Sequence, residues 1–194
     1  MNSKVKKLNK KKIILASRSP RRIKLLKEAG LKFKAIKSKI DEHLITKKFK
    51  GKNYKKLAKI LAYSKAISVK GDIVIGFDTI VVCKNKIIDK PKNNKDALKK
   101  LLFLSGKNHK VITGICIVGA CHGAPLQDCD TTIVQMKKIS KQDALNYIKT
   151  KEPFDKAGAY AIQGKGRKFI KFIKGDYYNV VGLPLRRLFA MFKA

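Results

Sequence analysis

The chain has 194 residues, of which 44% are hydrophobic, so it can form one substantial folded domain and is not a largely disordered protein. Its 47 basic and 13 acidic residues give a formal net charge of +34 at pH 7. All but six of the basic residues are lysines, and they are spread along the chain without a basic stripe or interleaved aromatic residues. This pattern favours general lysine enrichment over a dedicated nucleic-acid surface.

The cysteines and the apolar segments predict a cytoplasmic protein. Four cysteines show no C-x-x-C pair and no zinc-ligand spacing, which is typical of a reducing compartment. Residues 1–12 are basic and lack the apolar core of a signal peptide, so we expect a disordered tail before a single domain at 13–194. The longest apolar stretch is well short of the ~20 residues that span a bilayer, so no membrane association is expected.

Strand and helix patterns alternate along the first half of the chain. The expected elements are, in order, a strand over residues 12–16, a helix over 20–29, a weak strand over 31–36, a polar connection, a helix over 53–69, a strand over 72–75 that continues over 79–83, a hairpin tip at 84–85 and a return over 86–88. The helix pattern places Tyr54, Leu57, Ile60, Leu61, Ser64 and Ile67 at helical spacing.

The second half continues the alternation. Capping patterns at Asn93 with Asp96 and at Ser140 with Asp143 predict two helix starts. The other expected elements are an antiparallel pair of strands at 111–119 and 130–136 joined by a turn at 121–123, a strand at 168–173 and a helix at 183–192. Interleaved helices and strands with an antiparallel pair predict an α/β fold with a mixed sheet.

The connection after the first strand has the features of an anion site. Ser19 suits the N-cap of the following helix, Pro20 suits its first position and Gly30 suits its end. Arg21 and Arg22 lie in the first turn, where the helix dipole already disfavours cations. A bound anion would remove this conflict, so the pattern predicts a phosphate site.

Two carboxylates stand out among the few acidic residues. Asp78 follows an apolar strand and lies between Phe77 and Thr79, so it would be costly to bury unless it held a metal, a cation or a water. A carboxylate that caps a turn explains this pattern equally well. Glu42 lies in a polar connection, for which an exposed loop is the ordinary interpretation.

Seven short motifs follow one another from about residue 13 to residue 188. They are Leu15-Ala16-Ser17-x-Ser19-Pro20-Arg21-Arg22, Asp41-Glu42, Gly76-x-Asp78-Thr79, Lys90-Pro91, Leu104-Ser105-Gly106, Asp155-Lys156-Ala157-Gly158-Ala159-Tyr160-x-Ile162-Gln163-Gly164 and Gly175-Asp176-Tyr177-x-Asn179-Val180-Val181-Gly182-Leu183-Pro184. In this order they resemble the motifs of the Maf family of nucleotide pyrophosphatases. The sixth motif resembles the subfamily that hydrolyses dTTP and UTP. Phe77 departs from the family pattern, in which a small residue precedes the aspartate.

The resemblance implies an inosine-triphosphatase-like fold: a mixed, twisted sheet flanked by helices, in two lobes with a central cleft. It also implies hydrolysis of a nucleoside triphosphate to the monophosphate and pyrophosphate with a divalent metal, Mg²⁺ or Mn²⁺, and a possible homodimer. By similarity Asp78 is the proton acceptor and lies near the metal, and Glu42 is a metal ligand. The residues matching positions that select the substrate are Arg21, Thr79 and Gln163, and those matching phosphate contacts are Ser17, Arg22, Lys65, Lys90 and Lys156.

Two alternatives remain beside this interpretation. The net charge alone suggests a nucleic-acid-binding or regulatory protein, for which the sequence offers no specific motif. A purine triphosphate of the inosine type is the alternative substrate for the same reaction.

Overall fold

A computed structural model describes residues 3–119 and 123–192, and it has the mixed α/β architecture expected from the sequence. The strands are β1 (Ile13–Leu15), β2 (Lys34–Ala35), β3 (Ile73–Cys83), β4 (Lys86–Ile87), β5 (Asn108–Val118), β6 (Leu126–Met136) and β7 (Ile170–Lys174). They form one seven-stranded sheet in the order β2-β1-β3-β5-β6-β7, with β4 paired to β3. The sheet is mixed, because β1 is parallel to β2 and β3, whereas β4 is antiparallel to β3 and β7 to β6.

The α-helices are α1 (Ser3–Leu8), α2 (Pro20–Glu28), α3 (Glu42–Lys48), α4 (Tyr54–Ile67), α5 (Asn94–Leu104), α6 (Lys141–Lys149), α7 (Tyr177–Val181) and α8 (Leu185–Met191). Those that follow Ser19, Asn93 and Ser140 begin where the capping patterns predict. The side chain of Asn93 accepts a hydrogen bond from the Asp96 amide, and that of Ser140 accepts one from the Asp143 amide. Short 3₁₀ turns cover Glu152–Asp155, Ala157–Ala159 and Lys165–Phe169. No helix in the described ranges is long and apolar enough to cross a bilayer.

The chain divides into two compact units. The first unit contains the residues up to Asp78, the stretch from Thr113 to Asp130 and the residues from Gly182 onward. The second unit runs from Thr79 to Ile112 and from Thr131 to Val181.

In the first unit, α4 lies very close to the sheet because two strand positions are glycines. A Cβ atom at Gly76 of β3 would lie 2.2 Å from the Ala62 carbonyl oxygen, and one at Gly114 of β5 would lie 2.1 Å from the Ala58 carbonyl oxygen. The helix backbone therefore packs directly on both strands. The buried face of α4 consists of Leu57, Ala58, Leu61, Ala62, Lys65 and Ala66.

This face differs from the one that the sequence pattern picked out. Ile67 was placed with the apolar positions, yet 52% of its surface is exposed, whereas Lys65 is buried. Alanine is small and contributes little to a hydrophobic pattern. The periodicity of the sequence therefore did not show that the alanine face of α4 packs on the two glycines.

The second unit has its own core around α5 and α6, which pack against each other. Leu101, Leu104, Val134, Met136 and Tyr147 are among its buried residues. The hairpin between β3 and β4 turns at Lys84 and Asn85, as expected, with φ angles of 47° and 56°. Both residues are in the left-handed region that a tight two-residue turn requires.

The N-terminal tail and the polar connection differ from the sequence expectation. The strand expected over 168–173 begins only at Ile170, after a 3₁₀ turn, and the helix α7 was not predicted. A further segment, the turn at 121–123, cannot be compared. The supposed tail contains α1, where Val5 is buried, and Asn9 bonds to the Gly30 carbonyl oxygen and the Lys32 amide at 2.9 and 2.7 Å. The polar connection around Glu42 is a helix, α3, because the Asp41 side chain caps the amide of Leu44. The predicted turn at 121–123 includes residues 121 and 122, which lie outside the described ranges.

Candidate active site

The site begins at the connection between β1 and α2. Ser19 occupies the N-cap of α2 with extended backbone, but among the described residues its side chain caps no amide. Instead, the Ser17 hydroxyl accepts a hydrogen bond from the Ser19 amide at 3.2 Å and one from an Arg22 nitrogen at 3.4 Å. The helix ends at Glu28, with Ala29 as its C-cap, and is followed as predicted by Gly30, whose φ of 79° is typical of a glycine that terminates a helix. Ser17 therefore orders the turn and orients Arg22.

Arg22 is a buried cation that is held from several sides. Only 9% of its surface is exposed, and its Nε atom donates to the carbonyl oxygen of Gly182 at 2.9 Å. Its guanidinium carbon lies 5.7 Å from the centre of the Phe77 ring, within the range of a cation–π interaction. Burial lowers the pKa of Arg22, whereas the charges of Asp78 and Glu42 raise it and that of Arg21 lowers it further. Phe77 itself is fully buried.

Lys65 joins the two predicted carboxylates. Its Nζ atom lies 2.5 Å from Oδ1 of Asp78 and 2.7 Å from Oε1 of Glu42. The side chains of Lys65 and Asp78 are only 8% and 6% exposed, whereas that of Glu42 is 44% exposed. A buried carboxylate needs a partner for its charge, and here the partner is the ammonium group.

The local packing explains why these groups meet. Asp78 is two residues after Gly76 on β3, so both face the same side of the sheet, where α4 packs. Lys65 is next to Ala66, whose backbone nitrogen would be 2.9 Å from a Cβ atom at Gly76. The close approach of α4 thus brings the Lys65 ammonium to the Asp78 carboxylate. Glu42 reaches the same ammonium from the first turn of α3, which contacts α4.

The cluster formed by Lys65, Asp78 and Glu42 fits a divalent cation. Two carboxylates converge on one positive charge, and carboxylate oxygens are the ligands that Mg²⁺ and Mn²⁺ prefer. No group of three or more His, Cys, Asp or Glu side chains suited to a metal occurs in the described part of the chain. Mg²⁺ is commonly held by one or two carboxylates together with phosphate oxygens and waters, so two protein ligands suffice for it.

The first unit therefore brings together most of its predicted site residues. Ser17, Arg22, Glu42, Lys65 and Asp78 form one network of hydrogen bonds, ion pairs and charge interactions, and Arg21 contributes its charge beside Arg22. Three cations accompany two carboxylates, which suits an anionic ligand.

The other predicted residues belong to the second unit. Thr79 follows Asp78 on β3 and is partly exposed, and Lys90 is exposed in the loop after β4. The Lys156 ammonium contacts the Asp155 carboxylate and the Glu152 carbonyl oxygen, the latter at 3.3 Å. Gln163 is exposed in the loop that follows the 3₁₀ turn Ala157–Ala159.

Pattern and spacing alone did not reveal two features of the site. Lys65 was noted only through the family resemblance, although it lies four residues after Leu61 and three after Ala62 on the buried stripe of α4. A lysine on the buried stripe of a helix indicates a buried charge. The carbonyl oxygen of Gly182 could not have been found, because it is 160 residues away from Arg22 in the chain.

The buried cysteines do not provide an alternative reactive group. Burial raises the pKa of the Cys116 thiol to about 12 and raises that of Cys83 as well. These thiols stay protonated at neutral pH, and a thiol is a far weaker nucleophile than a thiolate. The chemistry of the cluster is therefore that of carboxylates and cations.

Comparison with known proteins identifies the family of the chain. A family model described as Maf-like protein matches residues 12–194. The chain is 44% identical over 183 residues to a dTTP/UTP pyrophosphatase of Clostridium perfringens, covering 92% of this chain and 94% of the relative. It is 45% identical over 180 residues to the protein of that name from Clostridioides difficile, with 91% of each chain covered. It is 48% identical over 178 residues to another from Alkaliphilus metalliredigens, with 91% and 92% covered.

Proposed function

Since this chain belongs to the Maf family, we propose that it is a nucleoside triphosphate pyrophosphatase that acts on dTTP and UTP. The observation that carries the proposal is the buried Asp78 carboxylate held by Lys65 beside Arg22, in a chain whose relatives carry this activity in their names. The reaction adds water at the α-phosphorus and breaks the anhydride bond to the β-phosphate. The products are the nucleoside monophosphate and pyrophosphate.

Asp78 supplies the base in this proposal. A carboxylate accepts the proton that the attacking water loses, and general base catalysis of this kind typically contributes about 10²–10⁴ in rate. Lys65 bonds to Oδ1 of Asp78, which fixes the orientation of the carboxylate. The pair thus presents a basic oxygen in a defined position.

Arg21, Arg22 and Lys65 offset the charge of the triphosphate. Charge grows on the bridging oxygen as the anhydride bond breaks, and fixed cations stabilise that charge without rearranging. The contacts of Arg22 with Gly182 and Ser17 hold its guanidinium in place before the substrate arrives. Ser17, Lys90 and Lys156 complete the proposed phosphate contacts.

Glu42 and Asp78 would hold the divalent cation. Both carboxylates contact the same Lys65 ammonium, so the two lie close enough together to share a cation as well. When bound, the cation would neutralise phosphate charge and lower the pKa of a coordinated water.

Gln163 is proposed to select the base, together with Arg21 and Thr79. Its amide has both a donor and an acceptor, so it can match the edge of a pyrimidine that presents one of each. The exposure of Gln163 leaves its amide accessible to a ligand.

A panel of nucleoside triphosphates tests the proposal. Pyrophosphate release is measured with dTTP, UTP, CTP, ATP, GTP and inosine triphosphate, with Mg²⁺ or Mn²⁺ and with excess chelator. We expect dTTP and UTP to exceed the other substrates at least ~10-fold in kcat/KM and the chelator to abolish release. A preference for inosine triphosphate would replace the proposed substrate, and no pyrophosphate from any nucleotide would contradict the proposed reaction.

A further inference from the structure

The loop that carries Gln163 is fixed by two side chains that have no place in the proposed chemistry. Tyr147 projects from α6 and is 2% exposed, and Glu152 begins the 3₁₀ turn that follows this helix. The Tyr147 hydroxyl donates to Oε1 of Glu152 at 3.1 Å. The two side chains therefore form a hydrogen-bonded pair.

This pair holds the backbone on both sides of Gln163. On the N-terminal side, the amide of Ala161 donates to the Tyr147 hydroxyl at 3.0 Å. On the C-terminal side, the amides of Lys165 and Gly166 donate to the Glu152 carboxylate at 3.0 and 3.4 Å. Gln163 is thus at the middle of a short loop whose two ends bind the same pair.

The fit between the loop and the pair is close. Gly164 has a φ of 130°, and a Cβ atom there would lie 2.7 Å from Oε1 of Glu152. A Cβ atom at Gly166 would lie 2.6 Å from the Tyr147 hydroxyl. Both glycines let the backbone wrap against these two side chains. A side chain at Gly164 would displace the Glu152 carboxylate, and one at Gly166 would also meet the backbone of Ala161.

The pair is itself held firmly. The ring of Tyr147 meets that of Phe169 edge to face, with 5.3 Å between ring centres. Burial raises the pKa of Tyr147, so its hydroxyl keeps its proton and can both donate to Glu152 and accept from Ala161. The backbone oxygen of Glu152 also accepts a hydrogen bond from the Lys156 ammonium at 3.3 Å.

We propose that Tyr147 and Glu152 are positioning residues that set base selectivity by fixing the backbone on both sides of Gln163. The inference rests on the proposed function, in which Gln163 reads the edge of the base. Recognition by hydrogen bonds requires the recognising group to be held within about 0.5 Å of its working position. A loop freed at either end would still place Gln163 near the base, but without the fixed geometry that separates one base edge from another.

The test compares kcat and KM for UTP and CTP, whose pyrimidine edges differ at two adjacent positions: C4 carries an oxygen in UTP and an amino group in CTP, and N3 is a donor in UTP and an acceptor in CTP. Tyr147→Phe removes only a hydroxyl, and Glu152→Ala removes the carboxylate. Each is expected to lower the ratio of kcat/KM for UTP over CTP by about 10-fold, mainly through a higher KM for UTP, with kcat for UTP within about 2-fold of wild type. Phe169→Leu is the matched control, because it loosens the packing of Tyr147 but keeps every hydrogen bond of the pair.

Phe169→Leu is expected to lower the melting temperature and to keep the wild-type ratio. If Phe169→Leu lowers the ratio of kcat/KM for UTP over CTP as much as Tyr147→Phe does, the inference is overturned, because the loss of selectivity would then result from lower stability. A double-mutant cycle adds a second criterion. In a Gln163→Ala background, Tyr147→Phe should cause no further loss of selectivity, and a further loss of the same size would overturn the inference.

The two proposals fail in different ways. A wild-type protein that releases no pyrophosphate, or that does not prefer UTP over CTP, would overturn the proposed function and this inference with it. A wild-type preference that both Tyr147→Phe and Glu152→Ala retain in full would overturn the inference alone.

Discussion

Lys65 and Asp78 form a buried ion pair, with 2.5 Å between the ammonium nitrogen and the carboxylate oxygen. The contact joins the helix α4 to the strand β3 at the point where glycine brings the two backbones together. Because both charges are buried, each depends on the other for its stability, and the pair links the packing of the first unit to its chemistry.

Removing the lysine should therefore destabilise the protein. Lys65→Met leaves the Asp78 carboxylate buried without its ammonium partner, and we expect a loss of about 3–5 kcal/mol in the free energy of unfolding, measured by urea denaturation. The double variant Lys65→Met with Asp78→Asn removes both charges and should recover most of that loss. An equal free energy of unfolding for wild type and Lys65→Met would show that Asp78 does not depend on the ammonium group for its stability.

Gly76→Ala should separate α4 from β3. The added methyl group would lie 2.2 Å from the Ala62 carbonyl oxygen, so the helix must move, at a cost of about 3 kcal/mol, and the Lys65–Asp78 contact must lengthen. Thermal unfolding and pyrophosphate release are expected to fall together. Gly123→Ala is the control, because no described residue other than its chain neighbours has an atom within 4 Å of the added Cβ atom. Unchanged stability in Gly76→Ala would contradict the close packing described for α4.

Arg22 should not be replaceable by lysine. Arg22→Lys keeps the charge but cannot reproduce both the bond to Gly182 and that to Ser17, so the cation loses its fixed position. Steady-state kinetics with UTP should show KM raised by about 10-fold. Arg186→Lys, at an exposed position of α8, should leave KM unchanged. Equal KM values for the two variants would mean that the orientation of Arg22 does not matter.

Stability should fall on mild acidification because of His109. Burial lowers its pKa from 6.5 to about 4 in the folded protein, and its Nε2 atom lies 2.7 Å from the Tyr160 hydroxyl. Above pH 6.5 the ring is neutral in both folded and unfolded states. As the pH falls from 6.5 to about 4 only the unfolded chain takes up the proton, which favours unfolding by up to about 3 kcal/mol.

Replacing His109 isolates this effect. His109→Gln can still bond to the Tyr160 hydroxyl but does not titrate, so its stability should change less than that of wild type between pH 6.5 and 4. His43→Gln, at an exposed position of α3, should retain the wild-type pH dependence. The same slope in His109→Gln and wild type, measured by denaturation at several pH values, would assign the acid sensitivity to other groups.

The sequence predicted elements whose signals are local. Capping at Asn93 and Ser140 and the hairpin turn at Lys84 and Asn85 depend on residues within a few positions of each other, and the structure confirms them. The sequence also predicted the start of α2 and the two arginines in its first turn. Asp78 stood out because a carboxylate beside an apolar strand is unusual. Of the two interpretations left open for it, the structure shows the buried carboxylate with a cationic partner, Lys65.

Contacts between segments that are distant in the chain could not be predicted from local sequence patterns. Glu42 was assigned to a polar loop because the helix α3 has no buried residue and therefore no hydrophobic periodicity. Arg22 depends on a carbonyl oxygen, which every residue possesses and no pattern distinguishes. The roles of Tyr147 and Glu152 emerge only from their bonds to backbone amides at Ala161, Lys165 and Gly166.

The most direct test of the account is pyrophosphate release from UTP by Asp78→Asn, measured with the metal that gives the highest wild-type rate. The amide has nearly the same shape as the carboxylate but is not a base, so we expect the rate to fall by about 10³-fold or more while the folded structure is retained. Asp72→Asn, at the exposed residue just before β3, should keep the wild-type rate. A folded Asp78→Asn protein that releases pyrophosphate within about 10-fold of the wild-type rate would contradict the role of Asp78 as the proton acceptor.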